Sequence, residues 1–224
     1  MNGTKRFANL HRGETCVIIG NGPSLNKTPL KELSEAFLTF GSNRIYELPF
    51  TPTYYCIIDE LMLKACLPLP DDFNPIKFLR AEACVKGNNP IYPIVVNGFS
   101  PDISNFVVMG GTVTYAMLQI AFYMDFKTVL LVGVDHYYPQ AGRMEEGLHF
   151  VAGEKDPDHF VPANGKPYFE YGKEYAAPAL TGTTQSYGVA KHFYELPEFD
   201  KKIINLTPDT KLDVFEKGTF EEWL

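Results

Sequence analysis

Short unbroken apolar runs alternate along this chain with segments whose apolar residues recur three or four positions apart. Thr15-Cys-Val-Ile-Ile-Gly20 is such a run, closed by a glycine turn, and predicts a strand buried on both faces of a parallel sheet. Beyond the turn, Thr28-Pro29 reads as an N-cap followed by proline at the first helical position, with Leu30, Leu33 and Phe37 at helical spacing. Leu38 to Ser42 and Tyr54 to Ile58 predict two further strands, ending on Asn43 and Asp59. Leu67 to Asn105 is dense in proline and turn residues, with short strand candidates at Ile76-Phe78 and Ile91-Val96. Gly110-Gly111 then opens a predicted buried helix, Val113 to Met124, which feeds the clearest strand of the chain, Thr128 to Val134.

Residues Asp135 to Tyr175 run for about forty positions without sustained periodicity, a length that marks a functional loop, and a lid over the active site is expected there. A helix around Thr184 to Glu195 and a strand Lys202-Leu206 complete the alternation. The whole predicts an α/β chain: a single Rossmann-like, doubly wound, mostly parallel sheet over residues 1–224, with the lid at 135–175 after the central Gly-Val-Asp strand.

Composition narrows the function. The 224 residues are 45% hydrophobic and 21% charged, which fits one globular domain. A formal net charge of -7 argues against a broad nucleic-acid surface, which needs a basic face, yet leaves room for a local anion pocket. Cys16, Cys56, Cys66 and Cys84 form no C-x-x-C pair, so neither zinc nor a disulfide framework is suggested. The polar segment Met1 to Arg12 lacks the apolar stretch of a secretory signal, and no apolar run approaches the roughly 18 residues of a membrane span. A cytoplasmic protein is expected.

The turn Gly20-Asn21-Gly22-Pro23-Ser24 carries the first chemistry. A glycine-rich turn between strand and helix lets backbone N–H groups approach an anion, aided by the helix dipole. The dinucleotide pattern G-x-G-x-x-G is met at Gly20 and Gly22 but fails at Leu25, and Asn43 stands where a ribose-binding acid belongs. The P-loop pattern finds Lys27-Thr28 but has Asn21 and Asn26 in both glycine positions. A plain helix-capping turn stays open as a third reading.

Four segments in order, Val17-Ile-Ile-Gly-Asn-Gly-Pro-Ser-Leu25, Gly41-Ser-Asn-Arg-Ile-Tyr46, Gly111-Thr-Val-Thr-Tyr115 and Leu131-Val-Gly-Val-Asp-His136, resemble the superfamily that joins bacterial CMP-sialic-acid-dependent sialyltransferases to 6-hydroxymethylpterin diphosphokinase-like proteins. The resemblance implies a transferase with a nucleotide-binding turn at Gly20, Asn21, Gly22, Pro23 and Ser24, joined by Asn43, Asp59, Gly111 and Thr112. It implies Tyr137, just beyond Asp135, as the phenol that steadies a departing phosphate. A histidine of the long loop is the implied base, with His159 in Asp156-Pro-Asp-His-Phe160 fitting better than His149, and Asp135 completes the catalytic set. A histidine suits this work because its pKa lies near operating pH, although a structural role for His159, and more so for His136, stays open.

The sialyltransferase-like reading expects a CMP-activated acidic sugar as donor, no required cofactor, and a role in building cell-surface polysaccharide. The diphosphokinase-like reading expects ATP and Mg2+, with Asp135, Asp156 and Asp158 as candidate ligands. A third reading is a module that binds a nucleotide or glycan without catalysis. The expected partners are a nucleotide-activated donor and a glycan or small-molecule acceptor, with peripheral membrane contact through a lipid-linked acceptor, a homo-oligomer, and no nucleic acid.

Overall fold

The computed structural model describes residues 3–83, 85–137, 149–151, 159–160, 174–176 and 180–224. Eleven strands lie among them: β1 Thr15–Ile19, β2 Leu38–Ser42, β3 Tyr54–Ile57, β4 Ile76–Leu79, β5 Pro93–Ile94, β6 Val107–Val108, β7 Thr128–Val132, β8 His149–Val151, β9 Glu174–Ala176, β10 Lys202–Asn205 and β11 Glu216–Lys217. The α-helices are α1 Leu30–Ala36, α2 Glu60–Cys66, α3 Val113–Tyr123 and α4 Leu180–Tyr194. Seven strands form one sheet in the order β11-β10-β7-β1-β2-β3-β4, with every pairing parallel. The chain steps outward from β1 through β2, β3 and β4, then returns to the far side of β1 as β7 and continues to β10 and β11. The order therefore reverses between β1 and β7, and a crevice opens at their carboxyl ends, the usual ligand site of open α/β sheets.

The expected doubly wound, mostly parallel sheet is the observed one. Its period-2 alternation sorts residues onto two helix layers. On β1, Cys16 and Ile18 join the core that holds Tyr115, Leu118 and Tyr194 of α3 and α4. Val17 and Ile19 join the core that holds Leu33 of α1 and Met62 and Leu63 of α2. Burial on both faces explains why β1 and β7 read as unbroken apolar runs rather than alternating ones.

Several elements depart from their predicted form. Thr28 does not cap α1: its hydroxyl donates to Ser24 O at 3.1 Å, inside a 3-10 turn Pro23–Lys27 in which Pro23, not Pro29, takes the first helical position. Of Ile91-Val96, Pro93–Ile94 alone forms a strand, paired with β6 in a small separate sheet. The stretch expected to be a featureless loop contains β8 and β9, which pair antiparallel. The rest of the expected lid, 138–148, 152–158 with Asp156 and Asp158, and 161–173, lies outside the described residues. Among the described residues no helix is long and apolar enough to cross a membrane.

Candidate functional site

The crevice is built around the turn after β1. Gly20 N donates to Val132 O at 2.8 Å, and Gly22 N donates to Gly133 O at 2.9 Å. Ser24 N and Ser24 Oγ both donate to the Asp135 carboxylate, at 3.2 and 2.8 Å. Leu25 N donates to Gly22 O at 3.1 Å, and Pro23 has no N–H. The backbone donors at Gly20, Gly22, Ser24 and Leu25 are thus spent within the fold. Gly20, Gly22 and Ser24, expected with Pro23 at the nucleotide, fasten β1 to β7 through these bonds.

The glycines are there for close approach. Gly22 has an ordinary extended backbone, φ -72°, but a Cβ on it would lie 1.9 Å from Asp135 Oδ2. A Cβ on Gly20 would lie 2.3 Å from Gly133 O. Asp135, expected in the catalytic set, is a latch on the turn through its bonds from Ser24. Burial pushes its pKa up from the ordinary carboxylate value, against the pull of the two Ser24 bonds. From the other side, Lys211 N donates to Asp135 O at 2.9 Å, Thr210 Oγ donates to Val134 O at 2.7 Å and Thr207 Oγ accepts from Val134 N at 3.0 Å.

What the turn presents is an amide. Asn21 Nδ2 donates to Ser42 Oγ at 3.0 Å across to the end of β2, while Asn21 Oδ1 is buried with no donor. Asn43, the residue after Ser42, has its Oδ1 buried without a donor as well. Its backbone is left-handed, φ 51°, and its carbonyl accepts a short hydrogen bond from the Tyr55 hydroxyl. Both acceptors lie where β1 and β2 end, and Glu47 Oε2, in the turn that Asn43 opens, is a third buried oxygen without a donor. Buried polar atoms are almost always paired, which sets these three apart among the described residues.

The same turn receives the distal loop. Phe160 N donates to Asn21 O at 2.9 Å, and the Phe160 ring, 1% exposed, enters the core beneath the turn with Val17, Ile19 and Leu25. His159, half-buried, is carried to the crevice by this docking. Of His149 only the backbone lies within the described residues. Tyr137 is 55% exposed, open to solvent beyond the end of β7.

A second cluster sits on the opposite face of β7. Thr112 caps α3, accepting from Tyr115 N at 3.2 Å, and is 2.9 Å from the Tyr187 hydroxyl. Gly111, φ 83°, lets Thr183 approach: a Cβ there would meet Thr183 Cγ2 at 2.5 Å. His136 Nε2 is 2.8 Å from Thr184 Oγ1, whose own proton goes to Leu180 O at 2.8 Å. That places a hydrogen on Nε2, while burial lowers the pKa of the ring. Asp59, expected at the nucleotide, caps α2, its carboxylate accepting from Met62 N at 2.9 Å. Sequence reasoning missed Ser42, Tyr55, Phe160, Thr184 and Tyr187; Ser42 and Phe160 stand in segments singled out for their neighbours Asn43 and His159, and the other three stand in no motif.

A hollow of about 310 Å3 opens between the ends of β10 and β11, lined by Leu206, Thr207, Thr210, Lys217 and Phe220. The Thr207 and Thr210 hydroxyls are occupied by Val134, and the Lys217 ammonium by Asp213 at 2.6 Å. Its polar groups thus serve the fold. Among the described residues no group of three His, Cys, Asp or Glu could hold a metal.

An open parallel sheet with a glycine turn and paired amides at its switch point defines the class of Rossmann-like α/β proteins. Within that class the chain belongs to the 6-hydroxymethylpterin diphosphokinase MptE-like family, whose model matches residues 2–141. No curated protein matches the sequence. Two solved structures share the fold. The MAf glycosyltransferase from Magnetospirillum magneticum AMB-1 is 14% identical, with a TM-score of 0.58 over 98% of this chain. This chain spans 38% of that protein's length. The sialyltransferase CstII from Campylobacter jejuni, solved with the substrate analogue cytidine-5'-monophosphate, is 13% identical, with a TM-score of 0.51 over 92% of this chain and 85% of its own.

Proposed function

We propose that this chain is a transferase that binds a nucleotide-activated donor in the β1/β7 crevice and transfers an acidic sugar from CMP. The observation that carries the reading is the pair of buried, donor-less oxygens Asn21 Oδ1 and Asn43 Oδ1. Both need N–H or O–H groups, and a nucleoside brings them as ribose hydroxyls and an exocyclic amine. The bound nucleotide of the CstII structure is the same kind of molecule.

In this reading His159, seated beside Asn21 by Phe160, takes the proton of the acceptor hydroxyl. The acceptor oxygen forms the new glycosidic bond as the bond from the sugar to the donor phosphate breaks. CMP departs with that electron pair, and the Tyr137 hydroxyl donates a hydrogen bond to its phosphate. Thermal-shift measurements with CMP, UDP, GDP and ATP, each with and without EDTA, test it. A preference for CMP that survives EDTA is expected; stabilisation by magnesium and ATP alone would sink it.

Family membership favours a second reading, diphosphoryl transfer from ATP to a pterin alcohol. Of its candidate magnesium ligands, Asp135 is committed to Ser24, and Asp156 and Asp158 lie outside the described residues. The described residues do not assemble a magnesium set. Unaltered ATP turnover after Asp156 and Asp158 are both changed to Ala would remove those two as ligands.

A further inference from the structure

We propose that Tyr55, buried in the sheet, is a positioning residue that sets Asn43 for nucleotide recognition; the proposal rests on the nucleotide reading above. Tyr55 is the second residue of β3, with Gly41 of β2 as its register partner. Its ring is fully buried and packs edge-to-face on Phe73 at 5.0 Å between centroids. From there the hydroxyl reaches two residues past its partner and donates to the carbonyl of Asn43.

Packing alone would be served by phenylalanine. A hydroxyl taken into an apolar layer is costly unless it is bonded, so its partner is informative. Besides a contact with the Cys66 side chain, the hydroxyl has as its acceptor the carbonyl of the residue whose backbone is left-handed and whose side-chain oxygen is buried without a donor. A left-handed non-glycine residue persists where its surroundings hold it. The turn that Asn43 opens, Asn43–Glu47, is closed at its other end by Arg44, whose Nε donates to Glu47 Oε1 at 2.6 Å. Tyr55 secures the end that bears the orphaned amide. Removing its O–H frees the carbonyl, lets Asn43 relax toward right-handed backbone, and swings Oδ1 away from Asn21.

A double-mutant cycle on the full chain tests this, with CMP binding measured by calorimetry and unfolding midpoints taken for each protein. Tyr55→Phe is expected to weaken CMP binding about tenfold, the worth of one ordinary hydrogen bond. Asn43→Ala should weaken it at least as much, and the double variant should bind no worse than Asn43→Ala alone. A role confined to packing would leave the dissociation constant of Tyr55→Phe within twofold of wild type, and that result overturns the proposal, as does a double variant whose losses multiply. Should Tyr55→Phe be too unstable to titrate, the cycle is run with Asn43→Gly, which takes the left-handed backbone without strain; Tyr55→Phe must then add no further loss. Wild-type protein that binds none of CMP, UDP, GDP or ATP would overturn the nucleotide reading itself, a result separate from a wild type that binds and a Tyr55→Phe variant that binds equally well.

Discussion

Replacing Gly22 by alanine inserts one methyl group into the tightest contact of the crevice. The new Cβ would stand 1.9 Å from Asp135 Oδ2 and 2.8 Å from Gly133 O, so the carboxylate must move by more than an ångström. That displacement breaks both hydrogen bonds from Ser24, at 3.2 and 2.8 Å. Bonds to a charged acceptor contribute about 1.5 to 3 kcal/mol each when buried; discounting for the solvent that reaches Asp135, the pair supports a loss of about 2 kcal/mol. For a chain of this size that lowers the melting temperature by about 4 to 8 °C, read by circular dichroism. The companion variant Gly22→Ala/Asp135→Ala removes the obstacle along with the bonds. It should fall short of the summed single losses by about 1 kcal/mol or more, the mark of two residues in direct contact. A Gly22→Ala protein that melts within a degree of wild type, or costs that simply add, would refute the latch.

Asp135→Asn tests the same contact through pH. The folded pKa of Asp135 is raised by burial, so its protonated form favours the fold: the contribution is fully present below the unfolded carboxylate value and is lost as pH rises through the folded one. Subtracting the Asp135→Asn curve from wild type in denaturant titrations between about pH 3.5 and 7 should expose that decline, and a flat difference would contradict it. Gln119→Leu should be far costlier than its size suggests. Gln119 Oε1 accepts from Ser100 N and Val108 N, at 3.0 and 2.9 Å, and Nε2 donates to Val108 O and Tyr115 O, at 2.8 and 3.0 Å. Stranding those backbone groups is expected to cost about 3 to 5 kcal/mol in urea unfolding. Phe160→Ala should lower donor hydrolysis while Phe160→Leu largely restores it, because an apolar anchor of similar bulk reseats His159; equal rates in all three proteins would argue against the docking.

The sheet was legible because burial on both faces leaves a signal in local composition. β1, β2, β3 and β7 each read as a short apolar run closed by glycine or a polar residue, and the observed ends differ by at most two positions. What escaped is what depends on distant partners. Ser24 and Asp135 are 111 residues apart, and no local pattern announces that one holds the other. Asp59 shows a subtler difficulty: a carboxylate at a strand end satisfies a helix N-terminus by the same chemistry with which it would hold a ribose. The seven-residue α2 that it caps is too short to show periodicity. Thr28-Pro29 misled for a related reason, since Pro23 had already opened a 3-10 turn upstream. Tyr55 and Phe160 carry no motif at all; their roles come from where the fold delivers a hydroxyl and an N–H.

The docking of Phe160 on Asn21 has a further consequence. The chain leaves the crevice at Asp135 and is fastened to it again at Phe160, so these two points are held by the fold whatever the sequence between them. The entropy of closing a segment between fixed ends grows only logarithmically, about 0.6 kcal/mol for each doubling of length. A change of length between the anchors is therefore cheaper for stability than the loss of either anchor.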